Sequence, residues 1–211
     1  VPHLKQIGHA ALSSFETLRT SYELASMAIR HHIPGDFVEC GVFGGAQCAA
    51  MAMPIMEYEW REGTRRVHLF DTFAGLPAPS QHDFEFVANA QMEGKALCSL
   101  AGVKVHMANW GIDEKLLVYH EGLFADTIPV ALGSHYDNSA SLRQIAVLRI
   151  DADLYESTEV AIRYLYPLVS PGGWIIIDDY GLSGCRLAVD EYMIGEGRPN
   201  YPPVYWQKAN K

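Results

Sequence analysis

The sequence has no excess of positive charge. Its 211 residues carry 16 Lys and Arg against 25 Asp and Glu, a formal net charge of −9. Nothing in it resembles a basic phosphate-binding stripe, so a nucleic-acid partner is not expected. Cysteine is scarce as well: Cys40, Cys48, Cys98 and Cys185 stand far apart. None forms a CxxC pair, which argues against a zinc site and a disulfide framework, and the four read as reduced thiols of a cytoplasmic protein. No apolar run is long enough to cross a bilayer and no signal peptide stands at the start, so no membrane partner is expected. Repeats, low-complexity tracts and long linkers are missing too. Val1 in first place points to a trimmed N-terminus.

What is present is apolar and periodic. At 49% hydrophobic residues the chain can bury one sizeable core, and a single domain over 1–211 is the expectation, with an N-terminal helical region at 1–34 and an α/β core at 35–211. Ser13 followed by Glu16 has the form of a capping box. Phe15, Leu18, Tyr22, Ala25 and Ile29 then recur at helical spacing up to Pro34-Gly35. DFVEC reads as a buried strand entering a glycine turn, followed by a helix from Ala46 to Met56. Val67 to Phe70 is a second strand ending at Asp71, and the region from Asp83 to Asn109 reads as helical with mixed periodicity. KLLVYHEG is a third strand and IAVLRIDADLYEST a fourth, running into a helix from Thr158 to Val169. SPGG is a turn, WIIIDD a fifth strand, CRLAVDEYM a helix and VYWQK a last strand. Such alternation predicts an α/β fold with a mostly parallel sheet and helices on both faces.

In such sheets ligands bind outside the carboxyl ends of the strands. Those ends carry Glu39-Cys40-Gly41, Asp71, Asp151 and Asp178-Asp179. The loop from Glu39 to Gly45 departs from a dinucleotide fingerprint, because Phe43 holds a position where glycine is required. It also lacks the Lys and Ser or Thr of a phosphate-gripping loop, since Gln47-Cys48 follows. A carboxylate followed by GxxGG suits a nucleoside that bears an amino acid and no phosphates. Asp71 comes about thirty residues after Gly41, where a ribose-hydroxyl acceptor is expected, a turn aspartate being the other reading. Asp151 and Asp153 close the fourth strand beside Asp178 and Asp179. Carboxylates converging there repel unless protonated or bound to a cation. A hard divalent ion such as Mg²⁺ fits an all-oxygen set, and the lack of clustered His or Cys disfavours zinc.

GDFVECGVFGG, HLFDTFAGLP, HEGLFADTIP, LRIDADLYEST and SPGGWIIIDDYG, with CRLAVDEY and a terminal VYWQK, resemble the macrocin O-methyltransferase family from about Leu18 to Lys208. The resemblance implies a Rossmann-like class I methyltransferase fold dependent on S-adenosylmethionine (SAM) and Mg²⁺. Its acceptor would be a hydroxyl on the sugar of a small-molecule glycoside or related natural product. Glu39, Gly41, Val42 and the Gly44-Gly45 turn would line the methionine part of SAM. Asp71, Thr72 and Phe73 would hold the ribose, with Gly122 and Leu123 near adenine. Asp151, Asp178 and Asp179 would ligate the metal, Asp151 also bordering the cofactor, and Asp153 would be the general base.

Asp153 sits two residues after a ligand, and strand alternation would put both on one face. In related catechol-type enzymes a lysine three residues after the first metal aspartate is the base. Leu154 stands at that position here, which shifts the role to Asp153 and the acceptor towards alcohols. The family pattern also differs at Phe43-Gly44, and Gly133 to Ser141 looks like an insertion before the fourth strand. Related enzymes form symmetric assemblies, so a homo-oligomer is expected by analogy. Two rival readings stay open: an NAD(P)-dependent oxidoreductase on the same general fold, and a catalytically silent SAM-binding protein. Among the histidines, His68 reads as sheet packing, while His120 and His135 fall near the expected ligand edge.

Overall fold

The computed structural model describes residues 4–8, 14–59, 65–87, 93–133, 141–197 and 205–209. Six strands run in chain order as β1 (Asp36–Cys40), β2 (Val67–Asp71), β3 (Leu117–Glu121), β4 (Ile145–Ile150), β5 (Val169–Ile177) and β6 (Tyr205–Gln207). They form one sheet in the order β3-β2-β1-β4-β5-β6. All neighbours pair in parallel except β5 and β6. Strand order therefore reverses between β1 and β4, which opens a crevice at their carboxyl ends.

The helices are α1 (Leu4–Ile7), α2 (Phe15–Arg30), α3 (Ala46–Pro54), α4 (Phe84–Val87), α5 (Leu100–Asn109), α6 (Phe124–Gly133), α7 (Tyr155–Leu165) and α8 (Ser183–Gly195). Alternation along the strands sorts the core into two layers. Phe37, Val67, Leu69 and Val147 pack under α2, α3 and α5. Val38, Phe70, Leu148 and Ile150 pack under α6, α7 and α8. Every residue of β4 is buried, as expected of a central strand covered on both faces. Among them stands one charged side chain, Arg149.

Several boundaries differ from the expected ones, each for a local reason. Ser13 lies outside the described residues, and Ser14 is the N-cap of α2, accepting from the Thr17 amide at 3.3 Å. The helix after the glycine turn ends at Pro54 and continues as one wide π-type turn, Ile55–Glu59. The stretch from Asp83 to Asn109 is two helices, α4 and α5; residues 88–92 are not among those described. Helix α7 starts at Tyr155, ahead of Thr158, because its N-cap Leu154 lies in an extended conformation. Ser170 to Gly173 belong to β5 but bulge out of register, since Ile145 pairs with Val169 and Val147 already with Trp174. Most of the suspected insertion, residues 134–140, and His135 with it, lies outside the described residues.

Candidate active site

The glycine loop is shaped by contacts that leave no room for a side chain. Gly41 has φ +91°, and a Cβ there would lie 1.6 Å from the Asp151 carbonyl oxygen. Its amide donates to the Phe70 carbonyl, so the chain turns immediately as β1 ends. Gly41→Ala forces both a left-handed backbone and displacement of Asp151, and is expected to cost at least about 2 kcal/mol. Thermal denaturation measures it, and a wild-type Tm would contradict the geometry. Gly45 closes the loop at φ +87° as the N-cap of α3, and the Gly44 carbonyl accepts from His106 Nδ1–H at 2.9 Å.

Asp71 reaches across from the end of β2 to hold this loop. Its Oδ2 accepts from the amides of Val42 at 2.6 Å and Phe43 at 3.1 Å, and its Oδ1 from the Phe73 amide at 2.8 Å. Thr72 Oγ1 donates to the Gly75 carbonyl and tightens the next turn. The turn-forming role, the other reading of this aspartate, is thus present, and it leaves Asp71 little acceptor capacity for a ribose.

The acidic edge has an internal counter-charge. Arg149 is 0% exposed and points to the same side of the sheet as Glu39, its register partner on β1. Its Nη2 donates to Asp151 Oδ2 at 2.8 Å, with Nε 3.1 Å from Glu39 Oε1 and Nη1 3.2 Å from Asp178 Oδ1. The last two contacts are ion pairs without hydrogen-bond alignment. Glu39 also accepts from the Cys48 thiol, so its carboxylate is enclosed beneath the crevice. Burial works against the guanidinium charge, and the carboxylates of Asp151, Glu39 and Asp178 outweigh it.

One guanidinium does not neutralise the whole cluster. Oxygens of Asp151, Asp178 and Asp179 lie within 4.8 Å of one another, the only such grouping of potential metal ligands among the described residues. Burial drives the Asp151 carboxyl well above the usual range despite Arg149, with Asp179 and Asp178 adding to the rise. Burial and neighbouring acids also push Asp153 and Asp179 up to about 6. Asp151 and Asp178 each commit one oxygen to Arg149, and Asp179 Oδ2 accepts from the Asp153 amide at 3.0 Å. Asp151 and Asp179 also share a side-chain hydrogen bond, a contact between two acids that a shared proton sustains and that a bound cation would replace. Hard oxygen donors, excess negative charge and this spacing fit Mg²⁺.

Asp153 is not on the strand. It lies beyond the end of β4 with φ +57°, so strand alternation does not place it, contrary to the expectation. The turn does: Asp153 lines the same pocket as Asp151. That pocket holds about 780 Å³ of empty space including its open mouth. Of the residues singled out in the sequence, Glu39, Gly41, Val42, Asp71, Thr72, Leu123, Asp151 and Asp153 border it, and Asp178 and Asp179 are not among its lining residues. Leu76, Pro77 and Phe124 add an apolar wall, and the polar Gln47 and Ser157 border it without having been anticipated. Gly44, Gly45, Phe73 and Gly122 shape the surrounding turns without lining it. The amide of Gly122 donates to the Asp71 carbonyl.

His120 is not placed for substrate contact. It stacks on Phe70 at 4.0 Å and meets His68 at 3.0 Å, and burial lowers its pKa to about 3. His68 reaches on to Asp36 Oδ2 at 3.2 Å, a packed chain under the sheet surface. Sequence reasoning missed Arg149. The available signal was a lone charge inside IAVLRI, two positions before Asp151, because a buried cation on that strand must find acids.

A model of the macrocin O-methyltransferase (TylF) family matches residues 7–198. Mycinamicin III 3''-O-methyltransferase of Micromonospora griseorubida is 32% identical over 193 residues, covering 86% of this chain and 72% of that protein. The 8-demethyl-8-(2,3-dimethoxy-alpha-L-rhamnosyl)-tetracenomycin-C 4'-O-methyltransferase of Streptomyces olivaceus is 34% identical over 163 residues, covering 76% and 58%. Among solved structures, the O-methyltransferase NovP superposes with a TM-score of 0.82 at 29% identity, over 95% of this chain and 83% of its own.

Proposed function

The chain belongs to the macrocin O-methyltransferase family and is an O-methyltransferase, and on that premise we propose that it transfers the methyl group of SAM to a sugar hydroxyl of a small-molecule glycoside, assisted by Mg²⁺ or a similar cation. The observation that carries the reading is the triad of Asp151, Asp178 and Asp179, of which Asp151 lines the pocket together with Gly41 and Val42 of the glycine loop. A relative named for a rhamnosyl-tetracenomycin acceptor supports a glycoside. No helix among the described residues is long and apolar enough to cross a membrane, which is compatible with a small-molecule acceptor.

SAM supplies an activated methyl on a cationic sulfur. Mg²⁺ held by Asp151, Asp178 and Asp179 would supply positive charge that makes a nearby alcohol hydroxyl more acidic. The protein contributes the rest. The Gly41–Gly45 turn and the α3 N-terminus receive the methionine end, where backbone can approach closely. Leu76, Pro77, Leu123 and Phe124 offer an apolar wall for the adenine. Asp151, Asp178 and Asp179 hold the cation, with Arg149 fixing the first two. The Asp153 carboxylate takes the proton from the hydroxyl as the methyl transfers, and a pKa of about 6 suits a base at neutral pH. Asp71 acts first as the brace of the loop and only with its remaining capacity on the ribose. Family membership argues against both the oxidoreductase and the silent-protein alternatives.

The test is transfer of label from methyl-tritiated SAM to a panel of deoxysugar glycosides. The expected result is label on the sugar, abolished by EDTA and restored by Mg²⁺. Transfer that survives EDTA would remove the metal from the reading, and failure to bind SAM at all would remove the reaction.

A further inference from the structure

Both acidic pairs lie on the turn that leads into a helix without a side-chain cap of its own. Asp151 and Asp153 precede α7, whose N-cap Leu154 offers no side-chain acceptor. Asp178 and Asp179 precede α8, whose N-cap Leu182 offers none either. The missing acceptors come from one distant segment. Asp83 Oδ1 accepts from the Tyr155 amide at 2.7 Å. Glu85 accepts from the Ser183 amide at 3.1 Å and from its hydroxyl at 2.6 Å.

Asp83 is the more constrained of the two. It is 1% exposed, and its Oδ2 accepts from the amide and hydroxyl of Ser80 at 2.7 and 2.8 Å. A Cβ on Gly184 would lie 2.0 Å from its Oδ1, so the carboxylate fills the gap between the first turns of α7 and α8. The ring of the preceding residue, His82, packs on Tyr155 at 4.4 Å, and its carbonyl accepts from Ser183 Oγ at 3.2 Å. Asp83 does not line the pocket, so a contact with reacting atoms does not explain its burial.

We propose that Asp83 is a positioning residue for the cation site: by capping α7 from outside and wedging against Gly184, it fixes the turn that presents Asp151 and Asp153 against the one that presents Asp178 and Asp179. Two features of the turn need such a brace. Asp153 holds a left-handed backbone that ordinary side chains disfavour, and its amide is tied to Asp179 across the gap. Tyr155, whose amide Asp83 accepts, follows Asp153 by only two residues. Removing Asp83 frees the first turn of α7 and lets the two acidic pairs drift apart. Glu85 braces the α8 side in the same way but from an exposed position, with a smaller share.

This inference rests on the reading of Asp151, Asp178 and Asp179 as cation ligands. Its test is Mn²⁺ binding, read by electron paramagnetic resonance, on protein saturated with S-adenosylhomocysteine, beside calorimetric affinity for S-adenosylhomocysteine itself. Asp83→Ala is expected to weaken Mn²⁺ about tenfold or more, within the range typical of residues that orient ligands, with S-adenosylhomocysteine affinity held within about threefold. Asp83→Asn, which keeps one oxygen for the Tyr155 amide, is expected to recover most of the loss. If Asp83→Ala does not fold, Glu85→Ala gives the same reading at about threefold, below the range for buried ligand-orienting partners because Glu85 is exposed. Wild-type Mn²⁺ affinity in Asp83→Ala (or in Glu85→Ala where Asp83→Ala does not fold), or equal losses of Mn²⁺ and S-adenosylhomocysteine, would overturn the positioning role alone. A wild-type protein that binds no Mn²⁺ would overturn the cation site, and this inference with it.

Discussion

Arg149→Met is expected to lower stability by about 3–5 kcal/mol at pH 8, a fall in Tm of about 10 °C. The guanidinium is fully buried and meets Glu39, Asp151 and Asp178, so its loss leaves buried acids without their counter-charge. Methionine fills a comparable volume, which keeps a cavity from dominating the effect. The pH dependence identifies the cause. Burial already holds Glu39 up at about 8 and Asp151 well above the usual range, even with Arg149 pulling both down. Without Arg149 both rise further, so the folded variant binds more protons than its unfolded chain above about pH 4. Its stability then falls as pH rises, and the gap from wild type narrows towards pH 5. Thermal melts at pH 5 and pH 8 check this; an equal deficit at both would mean lost packing, not lost charge.

Asp153→Asn is expected to lower kcat by about 100-fold or more, with S-adenosylhomocysteine affinity unchanged. The substitution isolates the chemistry well. The link from residue 153 to Asp179 runs through the backbone amide, which asparagine keeps, and asparagine tolerates the φ of +57°. What goes is the capacity to take a proton from the acceptor hydroxyl. Steady-state transfer to an acceptor found in the labelled-SAM screen measures it. Turnover within about twofold of wild type would remove Asp153 from the base role, since general-base removal costs far more than that.

Much of the site was legible in the sequence because chemistry-bearing residues fall at strand ends. GVFGG after a strand, Asp71 after the next, and the acids after IAVLRI and WIII all mark one sheet edge. The sheet itself brought Asp151, Asp178 and Asp179 together as that pattern required. What stayed hidden depends on partners far apart in the chain. Arg149 looks like an interruption of a buried strand until register sets it beside Glu39 and between Asp151 and Asp178. Asp83 looks like the start of a helical stretch, yet its side chain caps a helix 72 residues further on. The start of α7 was misplaced for the same reason: its cap is not local, so no local signal announces it. Asp153 borders the pocket through a left-handed turn, which strand alternation does not foretell.

The repulsion among these acids is the thread that joins fold to function. Arg149 offsets part of it, and under the proposed function a cation offsets the rest. The most direct test is calorimetric titration of Mg²⁺ into protein saturated with S-adenosylhomocysteine, beside Asp178→Asn, at pH 8 and pH 5. The expected result is saturable binding at pH 8 that weakens at pH 5, where Asp153 and Asp179, with pKa values of about 6, take up protons, and that is lost in Asp178→Asn. No binding to the wild-type protein at pH 8, or equal binding to Asp178→Asn, would contradict it.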